Sequence, residues 1–367
     1  MKRLPWLVIG VLVGVAVWAE PERDCTLCPF GDLRLRLEED WASHRSDGTL
    51  RKDRLRLRTR VRLGARWEAS RRTRVELRAR VGAAEAQQSP HVTLEDFQGN
   101  PRGAADLVLD RWQIEVRGEH GRWSVGRQAF PFWRPTEMTW DDDVTPAGVS
   151  YRQIVAGGAG SLRLGYAALP DGMRDFDGTL LGAQYVDTRK LGELRFISAG
   201  GLMALRGDHP AKHLRHGDGE RDYTLFTASL RIDARLAGRA VTGGVELIRN
   251  LERYDDPADS FGMAFGDQRS GLVLFIDYGS LVKGAWLFGW RYAHIEALAV
   301  NASFAQDDWV RWGSATQVDA SDLEGHELRV GRGTGRRSNL LLRVFTVDSV
   351  TSGQDGNRAR LDLNYRF

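Results

Sequence analysis

From 52 to 63 the chain reads Lys-Asp-Arg-Leu-Arg-Leu-Arg-Thr-Arg-Val-Arg-Leu, so Arg54, Arg56, Arg58, Arg60 and Arg62 alternate with Leu55, Leu57, Thr59, Val61 and Leu63. In an extended chain successive side chains point to opposite faces. One face of this strand is therefore apolar and the other is a ladder of guanidinium groups. The same rhythm returns at 72–81 and at 358–367. A soluble sheet could bury the apolar face, but an arginine wall would then meet bulk water on one strand, not on several neighbours. A closed sheet with lipid outside and a water-filled lumen accommodates all three segments.

Amphipathic segments fit sixteen strands, at 32–39, 53–67, 72–81, 107–117, 122–129, 148–155, 161–168, 179–188, 193–205, 223–234, 239–250, 270–278, 284–296, 323–331, 338–347 and 357–367. Every second connection is tight, and the others are mostly long and polar, among them 82–106, 130–146, 206–220, 251–268 and 297–322. Short turns on the periplasmic side and longer loops outside are the asymmetry of outer-membrane barrels. The predicted fold is all-β, a transmembrane antiparallel barrel over 31–367, with both ends on the periplasmic side. Trp41, Trp67, Trp112, Trp123, Trp286, Trp290, Tyr292 and Tyr365 lie near strand ends and are candidates for the aromatic girdles.

Negative mean hydropathy excludes a bundle of membrane-spanning helices, each of which needs an apolar run of roughly 20 residues. The start reads as an export signal over 1–19: Lys2 and Arg3, an apolar stretch from Leu4 to Val17, and Val17-Trp18-Ala19 before Glu20. Residues 20–30 then form a periplasmic leader. It holds the chain's 2 cysteines, Cys25 and Cys28, for which an oxidising compartment predicts a small disulfide loop. Pro29 stands where haem attachment would need His, and no further ligands stand nearby for a metal. No metal or cofactor is expected.

The last strand, Asn357 to Phe367, alternates apolar residues and ends on Phe. It resembles the assembly signal of Gram-negative outer-membrane barrels, which implies the barrel-assembly machinery as a partner through Phe367. Gly126-Arg127-Gln128-Ala129-Phe130-Pro131-Phe132-Trp133, followed by Trp140-Asp141-Asp142-Asp143-Val144-Thr145-Pro146-Ala147-Gly148, resembles the "putative porin" family of those membranes. Gln306-Asp307-Asp308-Trp309 and Gln354-Asp355-Gly356 are similar to its late loops. The resemblance implies an outer-membrane location, contact with lipid and lipopolysaccharide, and small hydrophilic solutes as cargo. Many porins are trimers. No strand here reads as a flat protein-facing patch, so a homotrimer stays open.

Inward residues near the barrel's closure gather into one basic wall: Arg34 and Arg36, then Arg54 to Arg62, then Arg72, Arg74, Arg78 and Arg80, and Arg358, Arg360 and Arg366 from the last strand. Glu38, Glu76 and Asp362 dilute it only slightly. The connection 130–146 carries Glu137, Asp141, Asp142 and Asp143 among Phe130, Phe132, Trp133, Met138 and Trp140. By analogy with porins, so apolar a loop is expected to fold into the barrel and narrow it, with its carboxylates facing the wall. A transverse field of that kind orients dipolar solutes. The bland alternatives are hydrated filler for the arginines, and a turn cap or Ca²⁺ ligands for the acid run.

Other constellations are weaker. His209, His213 and His216 stand with Lys212 and Arg215 in a long outer loop. Gly-x-Ser-x-Gly is absent and no Ser/His pair stands out on a lipid-facing strand, so no enzyme is expected. Gly331-Arg332-Gly333-Thr334-Gly335 joins two strands with no helix to follow, unlike a phosphate loop. The exported, alternating context argues against nucleic acid. The expected function is diffusion of small hydrophilic solutes or ions through a charged lumen. The competing reading is a structural or adhesion barrel that conducts nothing.

Overall fold

The computed structural model describes residues 25–207, 221–309 and 320–367. The expected export signal at 1–19 and the histidines His209, His213 and His216 lie outside the described residues. Strands β1 to β9 are Leu27–Trp41, Arg54–Glu68, Thr73–Gly82, Val92–Asp96, Asp106–Arg117, Gly121–Arg127, Ala147–Val155, Gly160–Asp171 and Asp175–Leu191. Strands β10 to β17 are Leu194–Arg206, Tyr223–Leu236, Arg239–Asn250, Ser270–Gly279, Trp286–Ile295, Leu323–Gly333, Ser338–Asp348 and Asp355–Arg366. Among the described residues one short α-helix, α1 at Ser260–Phe265, stands in the connection before β13, and Asp259 caps its N-terminus.

Strand β1 closes the barrel. It pairs with β2 from Leu27↔Trp67 to Asp40↔Arg54, and with β17 from Asp32↔Arg366 to Trp41↔Asn357. At the seam Phe367 donates its N–H to the Gly31 carbonyl at 3.1 Å and accepts from Gly31 N–H at 3.1 Å. No edge is left there to template pairing with another chain.

The expected polar stretch 82–106 contains a strand the alternation did not reveal, the five-residue β4. Strand β3 pairs with β2 over Arg62–Glu68, and β4 takes over along Arg56–Thr59. The two share one place between β2 and β5, so seventeen strands make a sixteen-stave wall. The turns expected to be tight all lie at one end. The turn at Gly157 and Gly158 needs both glycines, because their φ angles of +63° and +98° are left-handed. The opposite end carries the long connections, with one correction: β8 and β9 run on to a three-residue turn at 172–174.

The period-two reading of the faces holds. Leu37, Leu63, Leu77, Ile114, Val125 and Leu361 are exposed on the outer surface, while Arg36, Glu38, Arg60, Arg62, Arg78 and Arg360 are buried inside. The girdle candidates Trp67, Trp112, Trp123 and Trp286 are exposed outside. No described helix is long and apolar enough to cross a membrane, as a strand-built span requires none.

The lumen is unevenly filled. On the β12–β16 side, inward Ile248, Val273, Ile295, Phe345 and Val347 pack against Ala299, Val300, Ala302 and Ala305 of the connection after β14. A second apolar cluster joins Phe132, Trp140 and Val144 to Leu180, Met203 and Leu225 of the wall and to Phe304. The β17–β1–β2–β3 side carries the charges.

Leu361 pairs with Leu37 and Leu342 near mid-strand and faces outwards. Leu361→Arg should lower folding stability in lipid vesicles by about 2–4 kcal/mol, the cost of a cation at the bilayer midplane. Urea titration followed by tryptophan fluorescence checks this, and an unchanged midpoint would place that face away from lipid.

Candidate functional site

The arginine ladder is lumenal but not bare. Arg54 reaches Asp96 at 2.6 Å, Arg58 reaches Glu38 at 3.4 Å, and Arg60 and Arg62 share Asp32 at 2.9 and 2.7 Å. Arg56 bonds Glu38 as well. Across the seam Arg36 pairs with Asp362 at 2.6 Å, Arg360 with Glu38 at 2.7 Å and Arg358 with Asp40 at 2.6 Å. The expectation that acids dilute the wall only slightly is corrected here. Asp32, Asp40, Asp96 and Asp110 were missed, and each takes a guanidinium. Asp110 is the extra residue of a β-bulge opposite Arg78 and Ala79, which turns it inwards to meet Arg78 at 2.6 Å. A buried guanidinium needs such a partner, because an unpaired buried charge is costly.

Several wall members do structural work. Arg80 is fully buried and donates to the Gln87 and Gln88 carbonyls at 3.5 and 3.2 Å, holding the connection 83–91 inside the barrel. Arg74 pairs with Glu68 at 2.5 Å, and Arg72 lies in the turn before β3. Cys25 and Cys28 are bonded to each other at the tight-turn end.

The connection 130–146 lies inside the barrel, tethered at three places. Phe132 enters a notch left by Gly165 on β8 and Gly182 on β9. A Cβ on Gly182 would stand 2.5 Å from the Phe132 ring. Thr139 donates its hydroxyl to Glu246 of β12 at 2.8 Å, and Thr136 bonds the other oxygen of that carboxylate. Asp143 reaches Arg62 at 2.5 Å and Arg60 at 3.4 Å. Between these anchors Trp140 stacks on Phe130 at 4.5 Å and on Phe304 at 5.3 Å. Gly126 precedes the loop with φ +119°, and a Cβ there would stand 2.2 Å from the Trp112 carbonyl. Arg127 then donates to the carbonyls of Thr145 at 3.1 Å and Met173 at 2.5 Å.

The acid run divides its work. Asp141 accepts from Asp143 N–H at 2.7 Å and so caps its own turn. Asp143 faces the wall, and Asp142 is exposed with Arg134 at 3.5 Å. Sequence reading missed the second inward loop. Asp141 N–H donates to the Phe304 carbonyl at 2.7 Å, Gln87 and Gln88 donate to carbonyls of Ser303 and Ala302 at 3.0 Å, and Asp308 reaches Arg343 at 2.5 Å. The run Ala297-Leu298-Ala299-Val300 was the signal, being too apolar for a loop in water.

The three loops leave a cavity of about 390 Å³ beside the wall. Its lining includes Arg34, Arg60, Arg62, Arg343 and Arg366 of the wall, Glu137, Asp142 and Asp307 of the inward loops, and the carboxylates Asp143, Asp308 and Asp362 that pair with wall arginines. Of the expected wall, Arg36, Arg54, Arg56, Arg58, Arg74, Arg78, Arg80, Arg358 and Arg360 do not line it. Electrostatics split the acids. Burial opposes the charge of Asp143, but Arg60, Arg62 and Arg80 outweigh it and hold its carboxyl below the usual range. Asp308 is held low against burial by Arg343, Arg360 and Arg36. On the loop side burial, then Asp307 and Asp143, push Asp141 well up, and burial with Asp308 raises Asp307. Glu137 opens onto the water of the cavity, and the surrounding protein mass, then Asp142 and Asp308, push it up to about 7. Among the described residues no group of His, Cys, Asp and Glu is arranged to hold a metal ion.

The model of the "putative porin" family matches residues 30–163, which bears out the resemblance read from the motifs. Among solved structures the chain is similar to OprB of Pseudomonas putida, at 11% identity and a TM-score of 0.60 over 93% of this chain and 94% of that one. It is also similar to an anion-selective porin from Comamonas acidovorans, at 12% identity and a TM-score of 0.55 over 93% and 99%. A trimer form of OmpT from Vibrio cholerae shares the fold at 11% identity and a TM-score of 0.52, again over 93% and 99%. At these identities the likeness is one of fold. No curated protein matches the sequence. The chain is an outer-membrane β-barrel of the porin type.

Because Glu137 is raised to about 7, it is neutral below that pH and charged above it. Raising the pH from 6 to 8 should add negative charge to the loop side and move ion selectivity towards cations. Reversal potentials in a salt gradient report this. Glu137→Gln should remove most of the shift, and an undiminished shift in that variant would assign the titration to another group.

Proposed function

We propose that this barrel is a diffusion porin whose solutes pass between an arginine side and a carboxylate side. The carrying observation is the cavity itself: water-accessible, lined by arginines of the wall strands and by carboxylates of the inward loops, and bounded by a loop tethered at three places. Fixed charges across a low-dielectric opening concentrate small ions and orient dipolar solutes. No covalent chemistry is involved. The loop also narrows the opening, so conductance is small for a sixteen-stave barrel.

Selectivity is set less by the ladder than its sequence suggests, because each arginine from Arg54 to Arg62 has a carboxylate partner. Burial and neighbouring carboxylates oppose the charge of Asp141 and Asp307, which weakens the pull of the loop side on cations. The lipid-facing surface contacts outer-membrane lipid and lipopolysaccharide, and Phe367 presents the strand-end signal to the assembly machinery. A homotrimer agrees with the trimer form of the OmpT barrel.

Refolded protein in planar bilayers should give small stepwise openings. Silence from well-folded protein would favour a non-conducting scaffold. Phe132→Ala removes the ring from the Gly165–Gly182 notch, a loss worth roughly 3–5 kcal/mol in a packed core. The freed loop should raise unitary conductance, and an unchanged value would separate the loop from the conducting path.

A further inference from the structure

The tight-turn end of the lumen holds a second basic cluster that differs from the ladder in having less counter-charge. Four arginines stand in one row across β5 to β8: Arg117 opposite Arg122, Arg122 opposite Arg152, and Arg152 opposite Arg163. Directly opposed residues of antiparallel strands share a face, and like charges so placed repel. Glu115 relieves the first two, at 3.2 Å from Arg117 and 2.9 Å from Arg122. Among the described residues no carboxylate lies within ion-pair distance of Arg152 or Arg163. The Arg163 guanidinium has only the Pro131 carbonyl at 3.5 Å, and its buried Nε has no hydrogen-bond partner.

These two side chains line a cavity of about 170 Å³, together with Ser161, Thr188, Arg195 and Trp133. Arg195 is more than half exposed and reaches Asp233 at 3.5 Å. Trp133 is fixed in place. Gln184 accepts from its backbone N–H at 2.7 Å and donates to its backbone carbonyl at 2.7 Å, so the main chain of the loop that narrows the barrel is pinned beside the cavity. The cavity has room for a few waters or a small ion.

We propose that Arg152 and Arg163 form a binding site for a small oxyanion, a carboxylate or a phosphate, in the tight-turn vestibule beneath the constriction loop. Two facing guanidinium groups present planar forks that match the paired oxygens of such a group. The hydroxyls of Ser161 and Thr188 add donors at the same cavity. An anion between the arginines converts a repulsive cross-strand pair into an attractive bridge, whereas chloride offers no fork to match. The site rests on the reading of the barrel as a channel only for its role in transport. Binding itself requires no conduction.

Inorganic phosphate and acetate, added separately to full-length refolded barrel in planar bilayers, are the probes. Both should reduce chloride conductance at lower concentration from the tight-turn side than from the loop side. Arg152→Gln with Arg163→Gln should raise the half-blocking concentration at least tenfold, and the double Lys variant should fall between. Equal half-block in the Gln variant overturns the site, as does block from the loop side alone. If the barrel proves silent, ³¹P line broadening of phosphate by barrel in detergent still decides: broadening lost in the Gln variant supports the site, and broadening retained refutes it. Should the Gln variant fail to fold, the double Lys variant and Thr188→Val are read in the same two assays, with weaker binding expected from each and unchanged binding in both contradicting the proposal.

Discussion

The pairing of lumenal guanidinium groups with carboxylates on neighbouring staves is the interaction on which this structure depends. Lipid on the outer face forces every polar half-strand inwards. On β17, β1, β2 and β3 that polar half is mostly arginine. Repulsion in so confined a space would oppose closure of the barrel. Asp362 between Arg36 and Arg343, Glu38 among Arg56, Arg58 and Arg360, and Asp32 between Arg60 and Arg62 remove it. Two of these pairs, Arg36 with Asp362 and Arg360 with Glu38, join β1 to β17, which meet only when the barrel closes, so the charge pattern also specifies that seam. Breaking one buried pair costs more than the pair contributes, since a lone charge is left behind.

That network in turn positions the loops. Asp143 and Asp308 arrive from distant connections and dock on arginines the wall already holds. Apolar anchors oppose them across the lumen, with Phe132 in its glycine notch and Val300 and Ala302 against Val273 and Phe345. The loops are therefore held by charge on one side and by packing on the other. The cavity lies on the charged side, where packing is incomplete.

Much of the architecture was legible in the sequence because it rests on a period of two. The alternation at Arg54–Leu63 named the lumenal face, and the rhythm of tight and long connections gave sixteen wall positions. What escaped reading was whatever breaks that period. Strand β4 is five residues long and borrows a place from β3. Asp110 turns inwards only through a bulge. The acids Asp32 and Asp40 stood on β1 within the alternation, yet their pairing with Arg60, Arg62 and Arg358 appears only once the register is known. The apolar content of 130–146 marked that loop as inward, while its anchors at Gly165, Gly182 and Glu246 lie on strands 33 to 110 positions further along the chain. Arg152 and Arg163 were passed over because each sits alone on its own strand, and only cross-strand register makes them a pair.

Accessibility of single cysteines on adjacent β2 positions tests the central claim most directly, since Cys25 and Cys28 are already bonded to each other. With Cys placed at 58, a charged methanethiosulfonate added to the water should react, and with Cys at 57 it should not. A bimane label at 57 should be quenched by brominated lipid, and the same label at 58 should not. Quenching at 58 together with aqueous modification at 57 would contradict a lumenal arginine face.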